Sequence, residues 1–243
     1  TKHLFEGGYG TEVGPGMEVD EGSKTDLADV TEIANMNNLS GEQWFNTIRS
    51  RVDLGEMIMD WAVEHYISHW DGYTRGWPNN YYVHKQKGGM FTMHPWGTDQ
   101  TWNPEQRTEL IDNGATMMTR CIEFQPCNDL YRAALTRIKA KVPNLGLPAM
   151  VDKIWAKTAA FVSADPRKEY NYDQAIGFKE MAKTYMGTRF TELTNTVGPL
   201  VTTNLKVAYP TSGYAPGGTL RPTVTKTGNT ALASSVNYAL AAG

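Results

Sequence analysis

Residues Asp71 to Trp102 read D-G-Y-T-R-G-W-P-N-N-Y-Y-V-H-K-Q-K-G-G-M-F-T-M-H-P-W-G-T-D-Q-T-W. Asp71-Gly72 and Pro78-Asn79-Asn80 are loop chemistry, because Gly, Pro, Asn and Asp all favour turns over regular ladders. Tyr81 to Lys85 and Met90 to His94 are short β-prone runs joined by Gln86-Lys87-Gly88-Gly89, which is a hairpin signal. A helix precedes them. Asp53-Leu54-Gly55-Glu56 has the form of a capping device, and Leu54, Met57, Ile58, Trp61 and His65 fall on one helical face running to about Ser68. The order is therefore a helix, an Asp-bearing loop, a hairpin and a second Asp-bearing loop carrying Asp99.

Before that helix, residues 1–38 are Gly-rich and acidic and read as a strand remnant followed by a loop. Ser40-Gly41-Glu42-Gln43 reads as a capping box, with Trp44, Phe45 and Ile48 on one face. After the second Asp-bearing loop the chain is helical. Asn128 or Asp129 can cap a helix through about Lys141, Pro148 starts another through Ala160, and Tyr172 to about Thr194 forms a third. Residues 199–243 change character: they hold no Asp or Glu, and are rich in Thr, Ser, Gly, Ala and Val. Alternations such as Leu205-Lys206-Val207 and Thr223-Val224-Thr225 predict strands there, in a β-rich tail or the opening of a small β-sandwich. The expected division is 1–198 and 199–243. The first residues, Thr-Lys-His-Leu-Phe, read as those of a processed product or fragment.

The 243 residues are 40% hydrophobic, 20% charged and 11% aromatic, enough apolar material for a sizeable core. A formal net charge of −3 advertises no basic stripe for nucleic acid. No run of about 18 apolar residues suggests a membrane span. The two cysteines, Cys121 and Cys127, are too few for a disulfide scaffold and wrongly spaced for a zinc knuckle. Two readings stay open for them: a local disulfide of an oxidising compartment, or two free, partly buried thiols, the default.

The polar groups of 69–102 suit phosphoryl transfer. That reaction needs a carboxylate to orient a hydroxyl and accept its proton, and oxygen ligands to hold Mg²⁺ against phosphates. His69-Trp70-Asp71, then Asn79-Asn80, then Asp99 past a hairpin supply these in the order used by protein kinases. The fuller string is more specific. D-G-Y, N-N-Y-Y-V-H and F-T-M-H-P-W-G-T-D-Q-T resemble the spore coat protein H (CotH) kinase family. Leu4-Phe5-Glu6-Gly7, A-V-E-H-Y-I-S-H-W-D and R-C-I-E-F-Q-P-C-N-D-L-Y-R-A-A-L extend the resemblance over about residues 1–195.

The resemblance implies an α+β fold: a mostly helical, atypical protein-kinase-like C-lobe with a β-hairpin between two Asp-bearing loops, followed by the C-terminal β-rich tail. It implies a secreted kinase, extracellular or on the cell or spore surface, that uses ATP with Mg²⁺ or Mn²⁺ to phosphorylate Ser on coat or surface proteins. Asp71 matches the catalytic-loop Asp and would be the base, Asp99 matches the metal-binding Asp, and Asn80, with Asn79 beside it, would be the second metal ligand and complete the cofactor-binding set. Many relatives carry Asp where this chain has Gly97. Relatives place the lobe with the ATP-gripping Lys before Phe5-Glu6-Gly7, so a separate N-lobe chain is an expected partner. The alternative function is a catalytically inactive structural or adhesive surface protein that uses the lobe as a scaffold and assembles through 199–243. A fainter one is carbohydrate binding by the aromatic hairpin. His69 is expected to be a packed, satisfied histidine. Trp70, Trp77, Trp96 and Trp102 are expected in core and hairpin packing. Arg75 and Arg189 are expected in ordinary surface ion pairs rather than on phosphate. His84 and His94 have no assigned role, and Lys85 and Lys87 belong to a solvated turn.

Overall fold

The computed structural model describes residues 3–85, 89–198, 204–208 and 223–227. It divides into two compact units, Thr1–Gly198 and Pro199–Gly243. In the first, strands β1 (His3–Gly7), β2 (Glu18–Glu21), β3 (Tyr81–Lys85) and β4 (Phe91–Pro95) form an antiparallel sheet in the order β2-β1-β3-β4. The expected hairpin is thus the outer half of a larger sheet. The N-terminal segment is no strand remnant with a trailing loop, since β1 is a central strand, and α1 (Ala28–Met36) follows β2. Register explains why so short a segment holds. Val19, Phe5, Val83 and Met93 lie opposite one another across four strands, and all four are buried. Cross-strand apolar rows of this kind are the unit of sheet stabilisation. The turn at 86–88, Lys87 included, lies outside the described residues.

Helix α2 (Gly41–Ile48) packs against α1 and contributes Trp44 and Ile48 to the core, and α3 (Leu54–Ile67) packs against β4 of the sheet. Asp53 caps α3 by accepting from the Glu56 N–H at 3.0 Å. Ser40 precedes α2, but its side chain makes no cap bond, so the capping-box reading there fails. Leu54, Met57, Ile58, Trp61 and His65 are all buried, as their spacing predicts. Trp61 Nε1 donates to Met93 Sδ at 3.4 Å and locks α3 onto β4. Ser68 closes α3 in the left-handed conformation (φ 55°), a helix stop immediately before His69-Trp70-Asp71.

The C-terminal helices are α4 (Thr116–Glu123), α5 (Gln125–Lys141), α6 (Leu147–Ala164) and α7 (Tyr172–Val197). Helix α5 begins earlier than a cap at Asn128 or Asp129 would place it, because Pro126 occupies the first turn. The Asn128 side chain instead donates to the Ile122 carbonyl, and Asp129 accepts from Gln125. Cys121 and Cys127 form a disulfide from the end of α4 to the first turn of α5, so the free-thiol reading is corrected. In the second unit β5 (Asn204–Ala208) pairs antiparallel with β6 (Thr223–Thr227). No helix among the described residues is long and apolar enough to cross a membrane.

Candidate active site

The loop between α3 and β3 carries Asp71, Asn79 and Asn80. Two buried side chains, Glu64 and His69, shape it. Glu64, fully buried on α3, accepts from the Tyr73 N–H at 3.3 Å and from the Thr74 N–H at 3.0 Å. One carboxylate thereby satisfies two loop donors that would otherwise be orphaned in the core. His69, also fully buried, bonds the Trp96 carbonyl at 3.2 Å through Nε2, which ties the first Asp-bearing loop to the second. A carbonyl only accepts, so this Nε2 carries the proton. His69 is packed as its sequence context suggests but is only half satisfied, because Nδ1 has no partner among the described residues. Burial lowers its pKa, against the Trp96 bond and the charges of Asp71 and Asp99. Gly72 sits where these side chains converge. A Cβ there would stand 2.7 Å from His69 Cδ2 and 2.8 Å from Glu64 Oε1, which accounts for Gly in D-G-Y.

Asp71 is half-buried, and both its oxygens are engaged. Asn79 Nδ2 donates to Oδ1 at 3.0 Å and Asn80 Nδ2 donates to Oδ2 at 2.8 Å. The sequence-predicted trio is therefore one hydrogen-bonded group. Asn80 takes the left-handed conformation (φ 48°), which Asn tolerates better than most residues, and its carbonyl accepts from the Trp96 N–H at 2.9 Å. That bond brings the loop after β4 alongside. Gly97 then turns the chain with φ 61° into a 3-10 turn, Thr98–Gln100, which exposes the Asp99 carboxylate to solvent. Asp99 makes no hydrogen bond to the trio; its charge and that of Asp71 both oppose the lowering of the His69 pKa by burial. Asp99 also forms one end of a cleft of about 670 Å³ whose other wall is Tyr170, Phe178 and Lys179.

Whether these residues suit ATP with Mg²⁺ or Mn²⁺ turns on their donor atoms. Among the described residues no group of three or more His, Cys, Asp or Glu side chains could hold a metal ion by itself. The Asn79 and Asn80 amides each donate one N–H to Asp71 and keep their Oδ1 atoms as acceptors. With Asp99 this makes a sparse set of hard oxygens. Mg²⁺ is typically held by one or two carboxylates plus phosphate oxygens and water, so a sparse oxygen set fits a metal–nucleotide pair better than a bare ion.

Four features escape sequence reasoning. Glu64 is the first, legible only as an acid on the apolar side of α3. Asp60 is the second: with Glu56 and Glu64 it forms an acidic ladder at i, i+4 and i+8. Burial and the neighbouring carboxylates raise Asp60 to about 8 and burial raises Glu64 to about 7, while Asp60 Oδ2 finds no partner among the described residues. The third is Arg189. It is fully buried rather than a surface residue, donating from Nε to the Tyr66 carbonyl at 3.1 Å, from Nη2 to the His65 carbonyl, and from Nη1 to Glu192 at 2.5 Å. It holds the open end of α3, the natural place for a cation at a helix C-terminus. The fourth is the exposure of two tryptophans beside the site. Trp77 stacks on Tyr9 at 6.2 Å yet is 69% exposed, and Trp96 tilts against Tyr82 at 6.1 Å yet is 41% exposed. His65 is neutral, its pKa lowered by burial to about 3. Tyr131 donates its hydroxyl hydrogen to the Leu110 carbonyl at 2.6 Å, so the proton in the 2.6 Å His65–Tyr131 bond comes from His65 Nδ1.

No curated protein matches the chain. The family model described as CotH kinase protein matches residues 10–194, which include the whole Asp71–Asn80–Asp99 arrangement. The chain belongs to the CotH kinase protein family and is kinase-like.

Proposed function

We propose that the chain transfers the γ-phosphoryl group of ATP to a Ser hydroxyl on a coat or surface protein. The observation that carries this reading is the pair of hydrogen bonds that Asn79 and Asn80 donate to Asp71, with Asp99 following past Gly97. Asp71 orients the hydroxyl and takes its proton as the Oγ–P bond forms and the bond to the ADP oxygen breaks. The amides of Asn79 and Asn80 hold the Asp71 carboxylate still, so that orientation costs little at the moment of reaction. The Asn80 and Asp99 oxygens would hold the divalent ion, which would supply charge neutralisation at the phosphates. Gripping the phosphates with a Lys is the part of kinase chemistry expected from an N-lobe. The Cys121–Cys127 disulfide supports an oxidising compartment, hence an extracellular or spore-surface setting.

The test is a thermal melt of the chain with and without ATP plus Mg²⁺ or Mn²⁺, beside Asp99→Ala. A ligand at about 100 times its Kd adds roughly 2.7 kcal/mol, which in a chain of this size is an upward shift of roughly 5–10 °C. The expected shift requires metal and disappears in Asp99→Ala. Equal melts with and without nucleotide, in protein that unfolds cooperatively, would favour the scaffold reading instead.

A further inference from the structure

A second cleft of about 810 Å³, which shares Trp102 with the Asp99 cleft, opens between α3, the end of α5 and the start of α6. Met59, Val63 and Ile67 of α3 form one wall, Val142, Leu145 and Leu147 the other, and Arg137 and Lys141 stand at its edge. The apolar surface does not stop there. On α6 the residues Leu147, Met150, Ile154 and Phe161 share one face, which at about 1.5 Å per residue extends roughly 21 Å. No residue of α6 is buried; Ile154 is 56% exposed and Phe161 74% exposed. A continuous apolar strip of this length on a folded surface marks an interaction site.

The charge around the strip says what it binds. Lys153 and Lys157 flank the α6 stripe one helical turn apart, and Arg137 and Lys141 flank the cleft. All four are exposed, and none forms a salt bridge among the described residues. The Asp152 carboxylate on α6 is turned the other way, paired with Lys179 at 3.6 Å and Lys183 at 2.8 Å of α7. A second copy of this chain would set the same four cations against one another, which disfavours self-association. A flat bilayer matches a cleft recessed between three elements less well than a rod does. We infer that this strip is a docking groove for an amphipathic helix with acidic residues along its edges. Such a helix would lay its i, i+3, i+4, i+7 apolar residues into the cleft while its carboxylates meet the four cations.

The probe is a fluorescent helical peptide of about 20 residues, with Leu and Phe on one face and Glu along both edges, titrated by anisotropy into the 243-residue chain. A matching peptide carries Lys in place of Glu. The Glu peptide is expected to bind at least 10-fold more tightly, less so as salt rises. The double variant Arg137→Glu, Lys141→Glu should reverse that preference. Leu145→Asp with Ile154→Asp, both exposed positions whose change leaves the melt within a few degrees, should abolish binding of both. Equal affinity for the two peptides, no binding of either, or binding indifferent to these variants overturns the inference. So does tighter binding to anionic phosphatidylglycerol vesicles than to the Glu peptide, or a dimer in solution that Leu145→Asp dissolves. None of these readouts involves nucleotide, so the outcome is independent of the kinase reading.

Discussion

A Cβ added to Gly97 would lie 2.8 Å from Asn80 Nδ2 and 2.9 Å from its Cγ. The two residues are thus fitted to each other: Asn80 keeps its bond to Asp71 because nothing projects from residue 97. The positive φ of Gly97 is a second, independent reason for glycine at this position. Gly97→Ala is expected to strain the backbone by about 1–2 kcal/mol and lower the melting temperature by roughly 2–8 °C. Any metal–nucleotide shift should fall with it. A melt and a nucleotide shift both equal to those of the parent would show that Asn80 has room to yield.

The acidic ladder on α3 makes stability depend on pH. Asp60 ionises near its ordinary value of 3.8 when unfolded but is raised to about 8 when folded. Between those values folding takes up a proton, so stability is fully present below pH 4 and is lost as pH rises through 8. Asp60→Asn removes the share of that dependence due to Asp60 and leaves the smaller share due to Glu64. Its melting temperature should exceed the parent's at pH 8 by roughly 4–8 °C, for about 2 kcal/mol, and match it at pH 4. A parent melting profile flat from pH 5 to 8 would contradict this.

Arg189 offers three donors at the end of α3, and no other cation has that fork. Arg189→Met should cost about 2–3 kcal/mol through the carbonyls and the Glu192 carboxylate it leaves, or roughly 4–12 °C in the melt. Arg189→Lys should recover less than half of this. Full recovery by Lys would reduce the residue to a point charge.

The Cys121–Cys127 bridge closes a short loop, for which chain entropy assigns about 2 kcal/mol. Mass spectrometry after alkylation should show no adduct without reductant and two with it. Cys121→Ser with Cys127→Ser should melt roughly 4–8 °C lower. Ready alkylation of the native protein would restore the free-thiol reading.

The parts of the fold legible in the sequence are those where pattern and local chemistry agree. The α3 stripe has a strong period and a capping Asp53; the hairpin has two β-prone runs and a Gly-containing turn; Asp71, Asn79 and Asn80 are close in sequence and meet in space. What escaped depends on distant neighbours. β2 buries only Val19 of its four residues, so it shows almost no alternation, and β1 becomes a central strand only because 81–85 lies beside it. α5 starts with Pro126 instead of a side-chain cap, which shifted its boundary. Arg189 sits on a helix that looks polar throughout, and its burial is set by α3, more than a hundred positions earlier. The disulfide follows from a break at Phe124 that turns two helix ends toward each other.

The hold of Arg189 on the His65 carbonyl spans 124 positions of chain. A ribosome adding roughly 5–20 residues per second delivers Arg189 about 6–25 s after His65. Through that interval the sheet and the helix before Asp71 can assemble, but the end of that helix keeps unmet carbonyls. Maturation of the site is therefore timed by the arrival of α7. A nascent chain arrested before residue 189 would present a formed hairpin and an unfastened Asp71 loop.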